Sequence, residues 1–168
     1  MERIGGQGPS GVECLIQRVN TGAMDDATAI TNLLYRYAEA MDAGDFVAAT
    51  DLFAHARLTL ADGVDTDANG MLALLNDIVI VYPDGTPRTR HVVTNPIIDI
   101  DEASGTATAR SSYTVMQQVG DGPLHAIVVG RYHDRFGYID DAWRFTERDY
   151  SLVDLTGDTS GHLRMTLG

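Results

Sequence analysis

Beyond Pro87 the apolar pattern of this chain changes from a helical period to a period of two, and that switch limits the folds open to it. Four alternating segments follow one another: RTRHVVTNPIIDID, TATARSSYTVMQQV, LHAIVVGRYHDRF and AWRFTERDYSLVDL. The links between them, EASG, GDGP and GYIDD, are short and carry turn chemistry. Adjacent strands joined by such links form an antiparallel meander. Helical signal is confined to the residues ahead of Pro87. Helices first and a meander second is an α+β pattern, with the helices covering one concave face of a bent sheet.

The first helix is expected within MDDATAITNLLYRYAEAMDAGD. Asp25 or Asp26 caps its start, and Gly44 marks its stop. Ile30, Leu33, Leu34, Tyr37, Ala38 and Met41 recur at helical spacing and form the apolar face. Asp42 falls at the edge of that face, four residues after Ala38, so its carboxylate sits at the rim of the core or points into a cavity. DFVAATDLFA reads as a second, shorter helix capped by Asp45, RLTLAD as a short strand, and DANGMLALLNDIVIVY as a third helix. The end of that third helix, IVIVY, fits helix and strand equally well.

The 168 residues suit one domain with a real core. Residues 1–23 are Gly-rich and aperiodic and are expected to be a flexible arm; Met24 is a second candidate start. Residues 24–155 make up the domain, and residues 156–168 a C-terminal tail. The formal net charge is -12, which repels phosphate backbones and anionic membranes. No nucleic-acid or membrane partner is therefore expected. Cys14 is the single cysteine, which excludes an internal disulfide and a Cys-rich zinc site. The chain has no apolar run of membrane-spanning length, and a reducing, cytoplasmic setting fits best.

The chemistry centres on His91. In an extended strand His91, Val93 and Asn95 share one face, and Arg90, Val92 and Thr94 share the other. With the arginines outward, the imidazole faces the helices and needs a hydrogen-bonding partner. Asp42 is the best candidate for that partner. A carboxylate on one ring nitrogen fixes the tautomer and leaves the other nitrogen free to take a proton. The same pair also reads as a buried clasp joining helix to sheet. Tyr37, Tyr113 and Tyr132 have two readings as well, as hydroxyls facing a pocket or as core fillers. His55, His125 and His162 fit no metal-ligand spacing, and neither metal nor cofactor is expected.

The pieces LLYRYAEAMDAGDFVAATDLF, RTRHVVTNPII, ATARSSYTV, GRYHDRF and AWRFTERDY resemble, in order, the SnoaL-like branch of the nuclear transport factor 2-like superfamily. The resemblance implies a cone-shaped α+β fold of cystatin-like type. In it a strongly curved, mostly antiparallel sheet wraps around a long N-terminal helix and encloses an apolar pocket. It also implies dimers or trimers formed through the outer face of the sheet. Two enzyme types of similar motif, scytalone dehydratase and hexachlorocyclohexane dehydrochlorinase, pair a late first-helix aspartate with a histidine on the strand after the third helix. By resemblance those roles fall on Asp42 and His91.

The chain departs from both types. Met41 stands where the dehydratase has a tyrosine, Tyr132 stands where it has an asparagine, and the first helix lacks the lysine of the dehydrochlorinase. The expected activity is that of a cofactor-independent lyase or isomerase acting on a small, apolar, cyclic molecule. Asp42 and His91 would be its dyad, and Tyr37, Met41, Asn95, Tyr113 and Tyr132 would line the pocket. The alternative is a non-catalytic binding or assembly protein similar to an aromatic-ring dioxygenase small subunit.

Overall fold

A computed structural model describes residues 24–165. The expected arm, residues 1–23 with Cys14, lies outside the described residues. Helix α1 spans Asp26–Ala43. The Asp25 side chain accepts from the Thr28 amide at 3.0 Å, satisfying one of the unpaired amides at the helix start. Gly44 ends α1 at φ 74°, and a Cβ there would lie 2.4 Å from the Gly85 carbonyl oxygen, so both conformation and space require glycine. Helix α2 (Phe46–Asp51) is capped by Asp45, and α3 (Ala68–Ile78) by Asp67.

The strands are β1 (Arg57–Thr59), β2 (Asp65–Thr66), β3 (Thr89–Asp101), β4 (Thr106–Gln117), β5 (His125–Ile139), β6 (Ala142–Asp149) and β7 (Val153–Thr156). They form one mixed sheet of seven strands, ordered β2-β1-β6-β5-β4-β3, with β7 also on β5. The meander β3 to β6 is antiparallel throughout. The parallel pair is β1 with β6. This is the α+β, cystatin-like architecture expected from the sequence. Helix α1 packs against both β3 and β6, strands that lie apart in the sheet, so the sheet wraps around the helix. Register shifts in β3–β4, β4–β5, β5–β6 and β5–β7 supply local bending.

Two segments differ from the sequence reading. AWRFTERDYSLVDL is not one strand; it breaks after Asp149 and resumes as β7 at Val153. Strand β5 is 15 residues long, and β6 pairs with its residues 133–139 while β7 pairs with 128–130. The break lets one chain segment cover the same edge of β5 twice while the sheet turns. The third helix stops at Ile78, and Val79 is already extended, bridging Leu163.

The core between helices and sheet contains the fully buried Ile30, Leu34, Phe53, Leu58, Ile127, Phe136 and Phe145. Phe145 lies 4.8 Å from Phe53 and 4.7 Å from Phe136, ring centre to ring centre. No helix among the described residues is long and apolar enough to cross a membrane.

The last described residues fold back onto the domain. The Gly161 carbonyl accepts from the Tyr82 hydroxyl at 2.6 Å and from Gln117 Nε2 at 2.9 Å. The Ile80 amide donates to the His162 carbonyl at 2.8 Å. His162 is buried and its Nδ1 has no partner. Burial pushes its imidazole down to about 4 from an ordinary 6.5, with repulsion from His91 adding to this and Asp42 opposing it. Between those two values the unfolded chain binds a proton that the folded chain does not. Stability therefore falls as pH drops through 6.5 and levels off near 4, by at most roughly 3 kcal/mol from this residue. Urea unfolding from pH 7 to 4 should show a shallower decline for His162→Gln than for the unsubstituted protein.

Candidate active site

Asp42, in the last turn of α1, meets the start of β3. Its carboxylate accepts from the Thr89 hydroxyl at 3.1 Å and from the His91 amide at 3.0 and 2.9 Å. It also lies 2.7 Å from His91 Nδ1, with Arg90 Nη1 3.6 Å away. The two side chains are only 5% and 6% exposed. A carboxylate accepts and does not donate, so the proton of the neutral imidazole sits on Nδ1 and Nε2 keeps its lone pair.

His91 lines a cavity of about 720 Å³ between the sheet, α1 and α3. Met71, Leu75 and Ile78 of α3 supply apolar wall, and Tyr37, Tyr113, Tyr132 and Tyr150 supply rings. Tyr113 and Tyr132 stack at 4.2 Å. Burial pushes the Tyr113 phenol up to about 12 and Tyr132 and Tyr150 well above their ordinary value, so all three stay protonated near neutral pH. A smaller depression of about 400 Å³ on the outer sheet face is lined by Arg57, Arg110, His133 and Arg135. The dyad does not reach it.

The structure thus brings together Asp42, His91, Tyr37, Tyr113 and Tyr132. Two of the residues expected in the pocket do not join them. Met41 is buried in the core. Asn95 is exposed, at φ 53° in a β-bulge. Between Thr94↔Ser112 and Ile97↔Arg110, Asn95 and Pro96 face the single residue Ser111, so the alternation that groups Asn95 with His91 is broken. Among the described residues no group of three His, Cys, Asp or Glu side chains is placed to hold a metal.

The sequence reading missed Arg148, Asp134 and Tyr150. Arg148 Nε and Nη2 donate to the two Asp134 oxygens at 2.7 and 2.9 Å, and neither side chain is exposed to solvent. The guanidinium carbon lies 4.1 Å from the centre of the Tyr132 ring and 4.6 Å from that of Tyr37, with Phe53, Phe145 and Tyr150 completing the enclosure. Burial pushes the Asp134 carboxyl up, and the guanidinium opposes it. Strict alternation from Phe145 points Glu147 inward; a bulge beside Phe145 turns Arg148 inward instead. The usable signal was Asp134, a charge on the same face as Tyr132 and Phe136, which demanded an inward cation.

The fold is of the cystatin-like kind seen in solved NTF2-like structures. The chain belongs to the SnoaL-like domain family, whose model matches residues 22–149. A cystatin-like, NTF2-like protein from Novosphingobium aromaticivorans superposes with a TM-score of 0.63 at 20% identity, covering 81% of this chain and 86% of that one. A provisionally named scytalone dehydratase from the same organism gives 0.60 at 20% identity, covering 77% and 85%. The β subunit of a provisionally named aromatic-ring-hydroxylating dioxygenase, also from that organism, gives 0.60 at 22% identity, covering 80% and 93%. No curated protein matches the chain.

Asp42 holds strand and helix together as well as holding the imidazole. Asp42→Ala is expected to cost about 2–4 kcal/mol, because several donors lose a charged acceptor. His91→Ala leaves Thr89 and the strand amide bonded to Asp42, so its expected cost is about 1–2 kcal/mol. Urea unfolding of both variants checks the order.

Proposed function

We propose that this chain is a cofactor-independent lyase or isomerase, in which His91 is the base and Asp42 its positioning carboxylate. The observation that carries the reading is the 2.7 Å contact between Asp42 and His91 Nδ1 at the wall of a large, mostly apolar cavity. His91 Nε2 takes a proton from an acidic C–H of a small cyclic molecule. The electron pair left behind forms a double bond as a leaving group departs, or delocalises onto an adjacent carbonyl. The imidazolium then returns the proton to the leaving group or to another carbon. Asp42 favours the imidazolium as it forms. A positioned base supplies about 10²–10⁴-fold, so donors to the developing negative charge must add to it.

With substrate in hand, His91→Ala should lower kcat/KM by about 10²–10⁴-fold. The double variant with Asp42→Asn should be far less than additive, because the two act as one unit. Full activity in His91→Ala would sink the reading. Since Asp42 is also a structural clasp, His91 is the cleaner test.

A second reading is favoured by the likeness to a dioxygenase β subunit: a binding or assembly role without chemistry. A catalytically competent large subunit that co-purifies in fixed ratio with the His91→Ala variant would support it. In either case we infer a homo-oligomer, because Val92, Ile97 and Tyr138 leave apolar surface exposed on the sheet. Light scattering should give a mass above the 18.2 kDa of one chain.

A further inference from the structure

We propose that the depression on the outer face of the sheet is a second binding site, for a small oxyanion of the phosphate class held between Arg110 and His133. The site is separate from the cavity of the dyad and does not depend on the chemistry proposed there.

The chain has no lysine; all 12 of its Lys and Arg positions are arginine. Three of these arginines, Arg57, Arg110 and Arg135, line this depression of about 400 Å³ with His133, Glu147 and Asp149. A chain of net charge -12 thus sets three arginines and a histidine against two carboxylates at one spot. Arginine carries a flat fork of donors that matches oxyanion geometry, which a lysine ammonium does not.

Pairing within the cluster leaves Arg110 over. Arg57 is held by Asp65 at 2.9 Å and by Glu147 at 3.2 Å, and Glu147 also takes Arg135 Nε at 3.2 Å. Asp149 accepts from the Ser151 amide at 2.8 Å. Among the described residues Arg110 makes no ion pair. The strand register supplies the reason. Arg110 stands directly opposite His133 on β5 and opposite Ile97 on β3, so its cross-strand neighbours are a base and an aliphatic side chain. Asp99 on β3 stands opposite Thr108 and does not line the depression. Basic groups set directly opposite one another repel when both are charged. An anion placed between them replaces that repulsion with two attractions.

Thr108, on the same face as Arg110, lines the depression too. Guanidinium, imidazole and hydroxyl then approach a bound group from different sides. That suits a tetrahedral oxyanion, whose oxygens point in several directions, better than a flat carboxylate. Strands β4 and β5 lie inside the sheet with a partner on each side, so the donors stand on rigid elements. The negative charge of the rest of the chain repels extended polyanions, which restricts the ligand to a small one.

The test titrates the full chain with inorganic phosphate and follows backbone amide NMR shifts, with sodium chloride at matched ionic strength as control. Phosphate should saturate a single site, with shifts centred on residues 108–112 and 131–135. Arg110→Gln should weaken binding about tenfold or more, Arg110→Lys and His133→Gln by less, and acetate should bind the parent about tenfold more weakly than phosphate. Phosphate should raise the urea midpoint of the parent and not that of Arg110→Gln. Without phosphate, Arg110→Gln should unfold at the same urea concentration as the parent or higher, because it relieves a like-charge pair. His91→Gln should leave phosphate binding unchanged. Shifts that chloride reproduces, equal binding of acetate, or undiminished binding in Arg110→Gln would overturn the inference. So would a change of oligomer mass in Arg110→Gln with no change in phosphate binding, which would assign the cluster to a contact between copies of the chain.

Discussion

One carboxylate ties this fold together. Asp42, in the last turn of the long helix, holds the start of the meander, accepting from a strand amide, a hydroxyl and an imidazole at once. Strand β3 is the far edge of the sheet, so this contact fixes where the edge closes on α1. A buried charge is tolerated because its lone pairs are occupied by donors. Holding the backbone and orienting the ring are inseparable here, which is why structural and chemical readings of the pair are not exclusive.

A second buried charge shapes the other side of the cavity. Arg148 is neutralised by Asp134 along two parallel hydrogen bonds and enclosed by aromatic faces. Rings prefer a cation over their faces, and the guanidinium carbon lies within 6 Å of the ring centres of Tyr37, Tyr132 and Tyr150. The wall is thus both apolar and electrostatically polarised.

The fold is shared with quite different proteins, an NTF2-like protein and a provisionally named dehydratase and oxygenase subunit among them. At identities of 20–22% the likeness carries architecture alone. Whatever distinguishes this chain lies in the residues facing the cavity. Met41, Tyr132 and Tyr150 have to be judged by what they touch: Met41 turns into the core, while the two tyrosines line the cavity.

The sequence by itself determined the fold class, because the change from helical to alternating periodicity and the short polar links leave few arrangements. It also made Asp42 the best candidate partner for His91, since a carboxylate at the edge of an apolar helix face and an imidazole on an inward strand position each need one; the contact itself, 49 residues apart in the chain, was decided by the tertiary structure. Tertiary structure decided the rest. Bulges at Asn95 and beside Phe145 shift the phase of two strands by one residue, sending Asn95 out and Arg148 in, and a pattern of period two carries no record of such a shift. The division of β6 from β7, which brings Tyr150 to the cavity, likewise follows from the length of β5 and the bending of the sheet. Periodicity reports which face a residue prefers; the irregularities that close a curved sheet decide which face it is given.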